Sequence, residues 1–377
     1  METLAFSIIG ALDSVSVLLS LWSEVNLGLE EKLAIGNRKS AMLSFDALLV
    51  VSFGGPEGMA DVMPFLENVL RGRNVPAERM RAVAKHYEMF GGVSPINLQN
   101  RNLIAALQEE LAVNGPRLPI YWGNRNWHPL LADTLARMAE DGIKNALAFV
   151  TSAYSSYSSC RQYLENITEA QNHLGSSAPQ IAKLRAFYNH PLFIESNVDC
   201  LQAALSTIPD AKRASTEIAF TAHSIPQSMT DNCQYESQLQ ETSRLVALGA
   251  NRESWRLVYQ SRSGPPTQPW LGPDILDHLK ELKRSDATDV VIAPIGFVSD
   301  HMEVIYDLDT EARQYCDESG LNMARAATVG THPLFIRMIR ELVLERINPG
   351  DNQQYLGAHG PSHDVCPTGC CLLNNSS

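Results

Sequence analysis

The chain has 377 residues, 42 of them acidic and 30 basic, for a formal net charge of −12. That length exceeds what one ordinary hydrophobic core serves, so two domains are expected. The acidic excess speaks against nucleic acid as a partner and suits the handling of a cation, while 45% hydrophobic and 19% charged residues describe a soluble globular chain.

Residues 1–45 read as an N-terminal extension. Residues 4–22 are mostly apolar, but Asp13 and several serines interrupt them, and Glu2 is the only charge ahead of them. The stretch therefore lacks the marks of a membrane span and of a signal peptide. A weak anchor, an amphipathic surface helix and sequence upstream of a true start at Met42 are the three readings, and the last is favoured. A cytoplasmic protein is expected, with peripheral membrane contact as the most that the extension could add. Nothing in the sequence fixes an oligomeric state.

Residues 46–53, D-A-L-L-V-V-S-F, read as a buried strand that ends in the turn Gly54-Gly55-Pro56. Helical patterns follow over 59–70 and 78–87. The loop Gly91-Gly92-Val93-Ser94-Pro95 then leads to a long amphipathic stretch, 97–113. Strands and helices alternate from there: 119–122, 130–141, 145–151, 161–174 and 181–187. The second half repeats the plan, with strands at 216–221, 255–259 and 290–295, helices at 239–248 and 273–282, and a short extended piece at 325–329. Such alternation marks parallel sheets with crossover helices. F-Y-N-H-P-L-F-I at 187–194 matches V-G-T-H-P-L-F-I at 329–336, a similarity at about 140 residues that suggests a duplicated α/β unit and not a solenoid. His190 and His332, each before a helix-starting proline, are expected to be structural. The division is thus 46–190 for a first α/β domain, 191–347 for a second, and 348–377 for a cysteine-bearing tail, with a ligand cleft between the halves.

After the strand 290–295 comes G-F-V-S-D-H-M-E-V-I-Y-D-L-D-T-E, which sets Glu303, Asp307 and Glu311 at i, i+4 and i+8. These carboxylates line one helical face. Acids in a first helical turn can simply favour the macrodipole. Three on one stripe at a strand's carboxyl end, with His301 beside them, suit a cation or a proton path better. His223, in A-F-T-A-H-S-I-P, stands in an equivalent place after another strand and is a candidate base; a local loop-holding role is the alternative. The Gly- and Pro-rich loop 259–274 reads as a pocket wall, where Trp270 could stack on a flat ligand or pack internally. Tyr154 follows a strand end on the same side.

In order, G-G-V-S-P-I, F-T-A-H-S-I-P, Q-S-R-S-G-P-P-T-Q-P-W-L-G-P and G-F-V-S-D-H-M-E-V-I-Y-D-L-D resemble the motifs of the ferrochelatase family, and the resemblance runs from Asp46 to about Ile347. It implies an α/β fold of two similar doubly wound parallel-sheet domains, Rossmann-like and of chelatase type, around a porphyrin cleft. It also implies insertion of ferrous iron into protoporphyrin IX or coproporphyrin III in haem biosynthesis. By that resemblance His223 and Glu303 are the catalytic pair that meets the metal. Asp307 and Glu311 continue a proton or metal path on a helix with a π-type widening, and Tyr154, Arg71 and Arg73 lie near the macrocycle or its propionates. Phe53 departs from relatives that carry a metal-touching Tyr there and offers no ligand atom. A cobalt or sirohydrochlorin chelatase, and a non-catalytic haem- or metal-binding protein, are the competing readings.

C-P-T-G-C-C supplies Cys366, Cys370 and Cys371 within six residues. Thiols so spaced suit zinc or an iron–sulfur cluster. Cys160 is the candidate fourth ligand, and the arrangement is similar to that of ferrochelatases with a [2Fe–2S] cluster; zinc or idle thiols are the alternatives. The likeness to the actinobacterial type leans toward coproporphyrin. Cys200, Cys233 and Cys316 read as ordinary core or loop cysteines.

Overall fold

The computed structural model describes residues 44–72, 75–265, 267–348, 350 and 352–373; the stretch 1–43 with Met42, and Arg73, lie outside them. No helix among the described residues is long and apolar enough to cross a membrane.

In the first half the order is β1 (Ala47–Ser52), α1 (Met59–Val69), α2 (Ala77–Glu88), α3 (Ile96–Asn114), β2 (Ile120–Asn124), α4 (Leu131–Glu140), β3 (Asn145–Val150), α5 (Gln162–Leu174) and β4 (Gln180–Lys183). α6 (Pro191–Ser206) leads to the second half: β5 (Glu217–His223), α7 (Tyr235–Gly249), β6 (Arg256–Gln260), α8 (Ile275–Arg284), β7 (Asp289–Ala293), α9 (Met302–Tyr306), α10 (Arg313–Ser319), β8 (Asn322–Arg325) and α11 (Pro333–Ile347). The two sheets are entirely parallel and share one strand order, β2-β1-β3-β4 and β6-β5-β7-β8. The expected α/β class with duplicated parallel sheets is what the chain forms. β1 and β7 are buried at every position, as strands covered on both faces must be. β4 stops at Lys183, short of the extended run expected to 187, and β8 begins at Asn322, ahead of the run expected from 325.

The helix that closes each half packs on the other half. α6 lies against β7 and β8. From α11, Phe335 stacks its ring near Phe149 of β3 and near Phe187, at centroid distances of 6.3 and 5.9 Å, and Arg340 Nε donates to Gly115 O at 2.7 Å. The matched histidines sit at the two crossings. His190 Nδ1 accepts from Leu192 N at 3.2 Å, and His332 Nδ1 accepts from Leu334 N at 3.3 Å, so each imidazole caps its own helix. The remaining nitrogen faces the partner helix: His190 Nε2 is 3.7 Å from Glu341 of α11, and His332 Nε2 is 3.3 Å from Asp199 of α6. Each carboxylate stands nine residues after the histidine of its own helix, so the two pairs are reciprocal. Burial holds His190 neutral by pushing its pKa down to about 3.

Beyond α11 the described residues run without helix or strand and are strapped to the first half. Leu356 N donates to Asn189 O at 2.9 Å, and Asn189 Nδ2 donates to Leu356 O and Gly360 O. Arg185 holds both α11 and the tail: Nε and Nη2 pair with the Glu345 carboxylate at 2.8 and 3.0 Å, and Nη2 also donates to Gln354 O. Arg185 and Glu345 side chains are only 1% and 8% exposed. Removing one partner of such a buried pair strands the other's charge. Arg185→Ala is therefore expected to lower stability by about 3–5 kcal/mol, read as a large drop in the thermal unfolding midpoint. The Arg185→Met/Glu345→Leu double variant should lose less. An unchanged midpoint in Arg185→Ala would remove this pair from the interactions that hold the halves.

Candidate active site

In both sheets the strand order reverses beside the first strand, and open α/β sheets bind ligands at such a switch, beyond the strands' carboxyl ends. In the second half that point lies between β5 and β7. His223 is the last residue of β5, and the loop after β7 delivers His301 and Glu303. Close approach of this loop needs Gly296, since a Cβ there would stand 2.6 Å from both Cα and Cβ of Ala222, the residue before His223.

His223 Nδ1 lies 2.5 Å from Ser224 O, a pure acceptor, so Nδ1 carries a proton. Nε2 is the exchangeable nitrogen, and it faces Glu303 Oε2 at 3.5 Å. His301 flanks the same oxygen at 3.4 Å. Its Nδ1 accepts from Val304 N at 3.3 Å, which leaves the hydrogen on Nε2 to donate to Glu303. One carboxylate thus stands between two imidazoles. Tyr235 Oη donates to His223 O at 3.0 Å and fixes the strand end from behind.

Side chains of His223 and Glu303 are 32% and 47% exposed, so both groups are accessible to a ligand. Burial pulls the His223 pKa down, but the charge and hydrogen bond of Glu303 outweigh it and carry the group up to about 8. Burial opposes the Glu303 carboxylate, yet the His223 cation with His301 beside it holds the group down at about 2. Asp307 goes the other way. Burial raises it, a Ser261 hydrogen bond opposes, and repulsion from Glu303 and Glu311 adds, so it reaches about 7.

The acidic row lies on a helix that changes pitch. α9 gives way at Asp307 to a π turn, Asp307–Ala312, before α10. Steps of four residues drift by about 40° each around an α-helix. The wider π turn absorbs that drift and keeps Glu303, Asp307 and Glu311 aligned. The buried spine is Val304, Leu308, Ala312 and Cys316, also at four-residue steps, in the second-half core. Met302 and Ile305 join Phe65, Leu66 and Tyr87 in a separate cluster with α1 and α2. Two residues at the end of β6 tie down the row. Gln260 Nε2 donates to Glu303 O at 3.1 Å and to Asp307 Oδ2 at 3.3 Å, and Ser261 Oγ donates to Asp307 Oδ2. Ser261 has a left-handed φ of 60°, a conformation costly for a non-glycine residue and offset here by that bond. Further along, the Tyr306 ring stacks on His86 of α2 at 3.7 Å.

The ferrochelatase family model matches residues 45–347 of this chain. The chain is 58% identical over 334 residues to a ferrochelatase of Rhodopirellula baltica, covering 88% of this chain and 95% of that one. It is 50% identical over 349 residues to a coproporphyrin III ferrochelatase of Streptomyces coelicolor, covering 87% and 93%. The chain belongs to the ferrochelatase family. A solved structure of SirB from Bacillus subtilis with Fe3+ shares the fold, with a TM-score of 0.51 and 11% identity over 83% of this chain and 100% of that one. As a ferrochelatase the protein is a metal chelatase of haem biosynthesis whose substrates are a porphyrin and ferrous iron.

Within this ferrochelatase the other sequence-predicted residues fall into three groups. Tyr154 is 1% exposed, and its hydroxyl donates to Ile295 O at 2.8 Å, so it braces the loop after β7 across the two halves. Arg71 is exposed just beyond α1 and bonds to Asn68; Arg73 lies outside the described residues. Trp270 packs its indole over Gly264, where a Cβ would meet Nε1 at 2.1 Å, and Nε1 donates to Gln268 Oε1 at 3.3 Å. Phe53 packs edge-on to Phe65. The thiols converge in a separate place. Cys160 sits in a π turn, Tyr157–Arg161, at the head of α5, and its thiol lies beside that of Cys366. Cys370 and Cys371 have their sulfurs 3.6 Å apart.

The His223–Glu303 contact has a titration signature. His223 stability linkage is present in full below its ordinary pKa of 6.5 and is lost as pH rises through about 8. In Glu303→Gln the attraction is gone and burial remains, so the imidazole midpoint followed by NMR is expected to fall by about one unit or more. A midpoint that stays near 8 would remove Glu303 as the cause.

Proposed function

We propose that the chain inserts ferrous iron into coproporphyrin III, with His223 taking the pyrrole protons and Glu303 meeting the incoming metal. The observation that carries this reading is the His223 geometry: Nδ1 is committed to Ser224 O, and Nε2 alone faces Glu303 and the open site. Metallation of a porphyrin replaces two N–H protons by one Fe2+, so the site must bring in a dication and export two protons. At neutral pH His223 is cationic and Glu303 anionic, and an imidazolium cannot accept a proton. Iron arriving at Glu303 neutralises the charge that keeps His223 protonated. The imidazole then sheds its proton and becomes the base that the next step requires. Asp307, pushed up to about 7, changes protonation state in the same range and can take that proton, and Glu311 continues the path toward solvent. Gln260 and Ser261 keep the Asp307 carboxylate in register.

In this reading residues 46–190 and 191–347 form the two walls of the porphyrin cleft, and 348–377 is an accessory tail. Arg71 and Arg73 are the cations offered to propionates, Trp270 shapes the wall, and Tyr154 positions the loop that carries Glu303. Coproporphyrin is preferred over protoporphyrin because the Streptomyces coelicolor relative, and one from Nocardia farcinica at 48% identity, are coproporphyrin III ferrochelatases. A cytoplasmic location with peripheral membrane contact at most accompanies this function. The thiols also fit a [2Fe–2S] cluster: Cys160 of the first half lies beside Cys366 of the tail, and Cys370 Sγ is 3.6 Å from Cys371 Sγ. When bound, such a cluster supplies a one-electron centre and ties the tail to the first half.

Purified protein supplied with Fe2+ should metallate coproporphyrin III faster than protoporphyrin IX, followed by loss of free-base fluorescence. His223→Ala should lower kcat by about 10²–10⁴-fold while still binding the free-base porphyrin. Normal turnover in that variant would exclude His223 as the base, and a preference for protoporphyrin would reverse the substrate assignment.

A further inference from the structure

The loop that brings His301 and Glu303 to His223 is anchored in two stages. Its first part is pinned by backbone bonds, Gly296 N to Thr221 O at 3.0 Å and Gly330 N to Val298 O at 2.8 Å. From Asp300 onward, side chains of distant elements take over. Gln99, on α3 of the first half, accepts from Asp300 N through Oε1 at 2.8 Å. Arg325, the last residue of β8, takes the Asp300 carboxylate in a fork, Nη1 to Oδ1 at 3.2 Å and Nη2 to Oδ2 at 3.3 Å. The same guanidinium donates from Nε to Asp309 Oδ1 at 2.6 Å. Asp300 precedes α9 and Asp309 lies in the π turn after it, so one cation grips the segment on both sides of Glu303 and Asp307. A helix as short as α9, with 5 residues, does not sustain itself, and its placement depends on outside partners. The Arg325 side chain is 16% exposed, so water screens this clamp only in part. Burial opposes its charge, but Asp300 and Asp309 outweigh burial and raise the guanidinium pKa.

We propose that Gln99 and Arg325 are positioning residues for iron insertion: they fix Asp300 from opposite sides and thereby hold Glu303 where it meets the metal. The proposal rests on the reading that Glu303 meets the incoming iron. Gln99 acts through an acceptor oxygen alone, because its partner is a backbone N–H. Its bond reaches from the first half to the residue beside His301, so the placement of the metal-meeting group is set jointly by both halves. Arg325 acts through its shape. A guanidinium offers a planar fork to Asp300 and a further N–H to Asp309, whereas an ammonium is a point charge that cannot hold both in the same geometry. Without the cation, Asp300 and Asp309 would repel each other and push the two ends of α9 apart. A shift of about 1 Å at a reacting group is enough to slow chemistry strongly, and neither Gln99 nor Arg325 needs to touch a substrate to cause it.

Steady-state insertion by the full-length protein provides the test, with Fe2+ and coproporphyrin III varied in turn and porphyrin affinity read separately from fluorescence quenching. Gln99→Leu removes the acceptor, and Gln99→Glu keeps an acceptor oxygen on a side chain of the same length. Arg325→Lys keeps the charge and loses the fork; it is chosen over a neutral variant because removing the cation strands two carboxylates and endangers the fold. Gln99→Leu and Arg325→Lys should each lower kcat/KM for Fe2+ by about tenfold with porphyrin affinity unchanged, and Gln99→Glu should restore most of the loss. Wild-type iron kinetics in either Gln99→Leu or Arg325→Lys overturns the role of that residue. A loss shared equally by iron and porphyrin, or one that Gln99→Glu leaves in place, overturns the positioning account and assigns these contacts to general stability. Glu303→Gln is measured alongside: a large iron defect there with normal Gln99→Leu and Arg325→Lys sinks this proposal alone, whereas wild-type iron kinetics in Glu303→Gln sinks the reading on which it rests.

Discussion

A single helical segment is buried on two cores at once, and the candidate active site follows from that constraint. Val304, Leu308, Ala312 and Cys316 sit in the second-half core, while Met302 and Ile305 sit among side chains of α1 and α2. With two flanks apolar, Glu303, Asp307 and Glu311 share one remaining stripe, while Asp309 turns aside to pair with Arg325. The carboxylates cannot swing apart to relieve their repulsion, because the backbone behind them is held by two hydrophobic surfaces. The repulsion appears instead in the Asp307 carboxyl, held near neutrality, and is quenched at Glu303 by two imidazoles. A π turn is the backbone's answer to two lines, one acidic and one apolar, that both repeat every four residues.

Much of this arrangement was legible in the chain. Four-residue spacing of the acids, a histidine at each of two strand ends, and parallel-sheet alternation all have short-range signatures, and the expected fold class and the meeting of His223 with Glu303 rest on them. What escaped reading depends on long-range partners. Gln260 and Ser261 lie in a recognisable loop motif, but nothing local says that their side chains turn to Asp307. His86 sits in a polar helix with no pattern to mark it, and its stacking on Tyr306 is set by how α2 crosses α9. Tyr154 carries a polar group at a strand end, and only the fold reveals that Ile295 has claimed it.

Two sets of donor groups of different chemistry lie in different parts of the molecule. Oxygen and imidazole donors at the cleft suit a borderline dication that must arrive and depart, with several groups titrating near neutrality. Sulfur donors at the tail suit a soft metal that stays. The two are linked by little chain. Asn232 Nδ2 donates to Leu372 O beside the thiols, and three residues on, Tyr235 holds the carbonyl of His223. The order of the tail and the placement of the imidazole therefore share one short connection.

The crossing of α6 and α11, each capped by a histidine that reaches for the other, has a consequence for the chain as a unit of inheritance. A break between α6 and β5, after Ser206, would leave each fragment carrying the helix that its counterpart requires, with a sheet face uncovered in both. Neither fragment could be borrowed alone by another gene as a ready-made module. The pair must travel together, and a change on one side of either crossing constrains the opposite half.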